Sequence, residues 1–202
     1  MTTELAVLQA ARLKGRLSPE LAAASSGVDL GSATETLSTL CDAGLVKGES
    51  SVRLTPEGRQ RLAELLEAER AEVDGESLAA LYEEFDHHNT DLKQIISDWQ
   101  LKDGEPNDHT DEQYDHSVMD RLETLDSGFQ GLVARIAEVA PRLHTFQARF
   151  TNALNQIRAG DASFVARPIT DSYHTVWFEF HEELIGLLGL SREQEAAAGR
   201  AV

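Results

Sequence analysis

Apolar positions along this chain follow two patterns, and the change falls close to residue 73. In the first stretch Leu5, Val7, Leu8 and Ala11 open a helical face. Ser18-Pro19 starts a second helix with a capping hydroxyl followed by a proline, placed where its missing N–H is not needed. Ser26-Gly27 closes that helix. Asp29 can cap the next, and Ala33, Leu37, Leu40 and Cys41 then recur at helical spacing over about residues 30–43, until Gly44 stops the run. Leu45-Val46-Lys47 and Ser51-Val52-Arg53-Leu54, separated by Gly48-Glu49-Ser50, predict a small β-hairpin. Thr55-Pro56 repeats the cap-then-proline device and begins a helix through Leu62, Leu65 and Leu66.

Beyond the polar break Val73-Asp74-Gly75-Glu76, with Ser77 as the expected cap, the period becomes heptad-like. Leu78, Leu81, Phe85, His88, Leu92, Ile95 and Trp99 alternate steps of three and four along a helix of about 37 Å. Asp103-Gly104-Glu105-Pro106-Asn107-Asp108 has no apolar anchor and reads as a mobile loop. The seam resumes at Val118 and runs through Leu122, Leu125, Phe129, Leu132, Ile136, Val139, Leu143, Phe146, Phe150, Leu154 and Ile157. Unbroken, residues 113–159 would form a rod of roughly 70 Å, so Pro141 predicts a kink or break near Ala140. Gly160-Asp161 ends that segment. A last helix is expected from about Pro168 to Leu190, with a frayed tail over 191–202.

The first stretch resembles winged-helix regulators of the MarR-like and ArsR-like type. The likeness rests on Gly27-Val28, on Leu37-x-x-Leu40-x-x-x-Gly44-Leu45-Val46, and on Leu54-Thr55-Pro56-Glu57-Gly58. It covers about residues 3–70. The fold class expected is therefore mainly α: a winged helix-turn-helix with a small two-stranded wing, then an antiparallel α-helical bundle. The resemblance implies that the helix near 30–43 enters a major groove of double-stranded DNA. Its outward positions include Gly31, Ser32, Thr34, Glu35, Thr36, Ser38 and Thr39, with no Lys or Arg, although the family commonly has an arginine near the place of Glu35. Hydroxyls can bond bases or phosphates and Glu can accept from cytosine N4. Cations must come from Lys47 and Arg53 on the wing, from Arg59 and Arg61, or from Arg12, Lys14 and Arg16. The DNA-binding set is thus Ser32, Thr34, Glu35, Thr36, Ser38, Thr39, Lys47 and Arg53.

Length and charge refine this picture. The 202 residues suit two modest domains, at 1–72 and 77–190. The net charge of −17 opposes contact with phosphate unless it is segregated. It is: residues 1–70 carry 8 Lys/Arg and 10 Asp/Glu, net −2, and residues 71–202 carry 10 and 25, net −15. The single cysteine, Cys41, forbids an internal disulfide and reads as a packed thiol. No basic-then-apolar leader opens the chain, and no apolar run approaches the roughly 20 residues of a membrane span, which points to a cytoplasmic protein without a membrane partner.

All 7 histidines lie beyond residue 86. Glu84-x-x-His87, Glu84-x-x-x-His88, Glu112-x-x-x-His116 and Asp171-x-x-His174 each place a carboxylate and an imidazole on one helix face, and di-metal bundles use Glu-x-x-His pairs of this kind. His88 lies on the seam and His181 beside Trp177, Leu184 and Ile185, positions for buried imidazoles able to sense pH or an anion. His88, His174, Trp177 and His181 are the ligand or sensor candidates; core packing is the alternative for the aromatics among Asp171–Glu183. That stretch, within about residues 78–195, also resembles a C-terminal region of some actinobacterial proteins of the pyruvate phosphate dikinase-like group. The likeness implies a regulatory or interaction module associated with that metabolism, since the chain has no glycine-rich phosphate loop. Three functions follow. The first is a homodimeric transcriptional regulator, not an enzyme and without a cofactor, whose bundle dimerises and senses a small-molecule effector. The others are a protein-docking module that binds no DNA and a metal-binding helical bundle.

Overall fold

The computed structural model describes residues 3–190 and Glu195. The remainder of the segment expected to fray, 191–194 and 196–202, lies outside the described residues. The chain is mainly helical with two small antiparallel hairpins. It divides between Val73 and Asp74 into two compact units, termed unit 1 and unit 2.

Unit 1 contains α1 (Thr3–Lys14), α2 (Pro19–Ser26), α3 (Leu30–Asp42), β1 (Val46–Lys47), β2 (Arg53–Leu54) and α4 (Pro56–Glu72). Local chemistry sets each boundary. Ser18 Oγ accepts the Leu21 N–H and Asp29 Oδ1 accepts the Ser32 N–H, while Gly27 takes φ 71 where α2 ends. The hairpin pairs Val46 with Leu54 and Lys47 with Arg53, and Leu17 bridges Val52 through two hydrogen bonds of 2.9 Å. Thr55 Oγ1 accepts the Gly58 N–H at 3.0 Å and donates to the carbonyls of Gly44 and Leu45, locking the start of α4 to the end of α3. This close approach explains the glycine: a Cβ on Gly58 would lie 1.9 Å from the Leu45 carbonyl oxygen. Leu8, Leu17, Ala33, Leu37, Leu40, Val46, Leu54 and Leu62 form the core, and Cys41 packs half-buried against it.

Unit 2 contains α5 (Gly75–Gln100), β3 (Leu101–Lys102), β4 (Glu105–Pro106), α6 (Glu112–Val139), α7 (Thr145–Arg158) and α8 (Tyr173–Leu188). α5 packs along α6, α7 against α6 and α8, and α8 against α5 and α7, forming a helical bundle. Its centre is aromatic: Phe129 lies 4.2 Å from Trp177 and 5.3 Å from Phe150 between ring centroids, with Phe85, Tyr173 and Phe180 around them. All six rings are fully buried. Of the expected seam positions Leu81, His88 and Val139 are half-buried and the others buried.

The long rod is broken at Ala140, and Pro141–His144 forms a short 3-10 turn before α7. Three expectations need correction. Residues 103–108 form no loose loop: Leu101 pairs with Pro106 and Lys102 with Glu105, leaving the two-residue turn Asp103-Gly104, with both residues at positive φ (54 and 85). That is the Asp-Gly hairpin signature. Helix α5 is capped by Asp74, whose Oδ1 accepts the Ser77 N–H, so Ser77 donates where it was expected to cap. Finally, α8 starts at Tyr173 because Ser172 Oγ accepts the Thr175 N–H; Ile169 sits at φ 70, outside any helix.

Candidate nucleic-acid interface

Helix α3 turns Ala33, Leu37 and Leu40 into the core, so the intervening positions face outward. Thr34, Glu35, Ser38 and Thr39 are exposed, and Ser32 and Thr36 half-buried. Most of the hydroxyl protons are already committed. Thr34 donates to the Leu30 carbonyl at 2.7 Å, Thr36 to Ser32 at 2.7 Å, Thr39 to Glu35 at 3.0 Å, and Ser32 Oγ to Asp29 Oδ2 at 2.6 Å. The Ser32 hydroxyl and backbone N–H together hold the Asp29 carboxyl below its ordinary range. A hydroxyl whose proton is used keeps its lone pairs. The α3 surface therefore offers mainly acceptors: the threonine oxygens and the Glu35 carboxylate.

The cations lie elsewhere in the unit. Lys47 and Arg53 are directly opposite one another across β1–β2, and both are exposed. Like charges placed opposite in an antiparallel pair destabilise it. No acidic side chain among the described residues forms an ion pair with either of them. Arg59 at the start of α4 has no ion pair there either, whereas Arg61 is bound to Glu4, at 2.9 and 3.1 Å, and is not available. Arg12, Lys47, Arg53 and Arg59 border a groove of about 620 Å³ whose floor is Ala11, Leu54, Leu62, Ala63 and Leu66. Periodicity alone could not find this groove, since it gathers residues from the end of α1, the hairpin and the start of α4.

In unit 2 Trp177 and His181 both pack against Phe85, and His88 and Trp177 both against Phe129. Trp177 is fully buried, and its indole N–H donates to Asn89 Oδ1 at 3.0 Å. His181 is 4 % exposed and lies 2.8 Å from the Tyr82 hydroxyl. That hydroxyl donates its one proton to the Glu195 carboxylate, so His181 Nε2 must carry the hydrogen between them. His88 is half-buried, edge-on to Phe129 at 5.5 Å, beside a shallow depression shared with Asp91, Arg121 and Gly128. His174 is half-buried, and burial pushes its imidazole below the ordinary value of 6.5.

Two of the three carboxylates paired with histidines by spacing, Glu84 and Asp171, are taken by arginines. Glu84 binds Arg135 and Asp171 binds Arg149, at 3.0 and 3.1 Å. Among the described residues no group of three or more His, Cys, Asp or Glu side chains could hold a metal ion. Two acidic residues of α8 lie inside the bundle. Glu179 and Glu183 are 2 % and 3 % exposed and meet Arg149 and Arg142. For Arg149, burial works against the charge, but Glu179 and Asp171 outweigh it and hold the guanidinium above its ordinary value. No described helix is long and apolar enough to cross a membrane. No family model, curated protein or solved structure matches this chain.

Proposed function

We propose that this chain is a transcriptional regulator. In this reading unit 1 is a winged helix-turn-helix that contacts double-stranded DNA, and unit 2 provides homodimerisation and effector sensing. The observation that carries the reading is the juxtaposition of Lys47 and Arg53 across the hairpin without a counter-ion among the described residues. Two adjacent exposed cations are relieved by an external anion, and a wing held against a duplex meets phosphates spaced along the backbone.

The acceptor-rich surface of α3 supports a division of labour. The hairpin supplies sequence-independent attraction, and Glu35 with the threonine oxygens reads the amino groups of cytosine N4 and adenine N6 in the major groove. Binding of labelled genomic duplexes to the full chain, followed by fluorescence anisotropy at two salt concentrations, tests this. Salt-sensitive saturation supports it, and no saturation at low salt refutes it.

A second reading is favoured by the groove beneath the same cations. Its apolar floor of Leu54, Leu62 and Leu66 has no use for a phosphate and suits an acidic amphipathic protein segment. The groove then makes unit 1 a docking module, and an acidic helical peptide would bind where DNA does not.

A further inference from the structure

The described non-glycine residues with positive φ are Asp103, His109 and Ile169, and they lie in two connections at the same end of unit 2. One joins α5 to α6 through the β3–β4 hairpin; the other joins α7 to α8. Between them opens a cleft of about 750 Å³ bordered by Trp99, His109, Asp115, Ala162, Ala166 and Arg167. That size lies within the range of roughly 300–1,000 Å³ that holds small molecules.

His109 is built into this cleft in one orientation. Its Nδ1 lies 2.9 Å from Asp115 Oδ2, and a carboxylate only accepts, so Nδ1 carries the proton. The other carboxylate oxygen, Asp115 Oδ1, accepts from Asn107 Nδ2 at 2.8 Å, and that amide also donates to the Trp99 carbonyl at 3.1 Å. The His109 N–H donates back to Asn107 Oδ1 at 3.1 Å, and the imidazole lies over the Trp99 indole with centroids 4.4 Å apart. With one ring nitrogen committed, Nε2 is the remaining polar atom of a fixed and 42 % exposed side chain.

Arg167 supplies the charge. Arg121, Arg135, Arg142, Arg149 and Arg158 of unit 2 are each paired with Asp or Glu. Arg167 alone among the described arginines of this acidic unit has no ion pair. Its backbone is fixed all the same, the N–H donating to the Ser163 carbonyl at 3.0 Å and the carbonyl accepting from Thr175 Oγ1 at 3.4 Å. An unpaired guanidinium and an oriented imidazole beside an indole wall form a two-point receptor.

We infer that this cleft binds a small hydroxylated organic anion, a carboxylate or phosphate monoester, whose charged group pairs with Arg167 and whose hydroxyl donates to His109 Nε2. The inference rests on unit 2 alone and holds whether or not unit 1 binds DNA. The test uses the full chain, titrated by calorimetry with L-malate, glycerol 3-phosphate and inorganic phosphate, with the His109 side-chain signals followed by NMR. At least one probe saturates with a Kd below about 1 mM and shifts the His109 signals. Arg167→Gln and His109→Gln each weaken it at least about tenfold, while Arg158→Gln, with the same charge change elsewhere, leaves it unaltered. Malate binding without the phosphates assigns a carboxylate, and the reverse a phosphate. The inference is overturned if no probe saturates by about 10 mM, or if Arg167→Gln binds as tightly as the parent.

Discussion

Arg142 and Glu183 form a two-pronged ion pair inside the bundle, at 2.7 and 2.8 Å, with side chains 5 % and 4 % exposed. It joins the 3-10 turn after Pro141 to α8, so the break in the long seam is tied to the helix that closes the core. Removing one partner takes a two-pronged counter-charge away from the other in a dry interior. Glu183→Ala is expected to lower unit 2 stability by about 3–5 kcal/mol, and replacing both residues together with Met and Leu to restore most of that loss. Urea denaturation of the two variants distinguishes a structural pair, where the double change recovers, from a requirement for charge, where it does not.

Glycine acts oppositely at two helical positions. Gly131 in α6 faces open space, so Gly131→Ala is expected to stabilise by about 0.5–1 kcal/mol through helix propensity. Gly58 in α4 has the same propensity to gain, but a Cβ there meets the Leu45 carbonyl at 1.9 Å. The clash outweighs the gain, and Gly58→Ala is expected to cost about 1–3 kcal/mol. Thermal unfolding of both variants, showing shifts of opposite sign, checks the account.

His174 gives a pH dependence. Burial lowers its folded-state value below 6.5, so the unfolded chain binds a proton more readily. The sign follows from linkage: as pH falls below about 6.5 the proton favours the unfolded state, and stability declines until the folded value is passed. Tm profiles between pH 7.5 and 5 are expected to fall less steeply for His174→Gln than for the parent. Equal slopes would show that burial of this imidazole does not govern the transition.

The outer face of α3 makes a separable prediction for DNA. Because Thr34 already donates to its own helix while the exposed Glu35 carboxylate has no ion pair among the described residues, Glu35→Ala is expected to alter preference among duplex sequences more than Thr34→Ala does. A selection from randomised duplexes with each variant reads the difference, at about 1–3 kcal/mol per affected base pair.

Several of these features were legible in the sequence because their causes are local. Ser18-Pro19, Asp29 and Thr55-Pro56 announce their caps, and Pro141 announces the break at Ala140. Asp103-Gly104 carried a hairpin signal that the surrounding acidity obscured. Long-range pairings were not legible. Spacing placed His174 beside Asp171 and His88 beside Glu84, but Arg149 and Arg135 arrive from other helices and take those carboxylates. The same limit hid the Arg12–Arg59 groove, while the His109–Asp115 pair, only six residues apart, depends on a backbone turn at His109 with φ 57.

The central proposal is that Lys47 and Arg53 are placed together for phosphates. The most direct test is the salt dependence of duplex binding by the full chain, compared with Arg53→Glu. Each phosphate contact contributes about −0.9 to the slope of log K against log salt. The parent is expected to bind duplex with a slope of several such contacts, and Arg53→Glu to bind every sequence more weakly, with a slope shallower by about one. Binding that ignores salt, or an unchanged slope in the variant, would contradict the assignment.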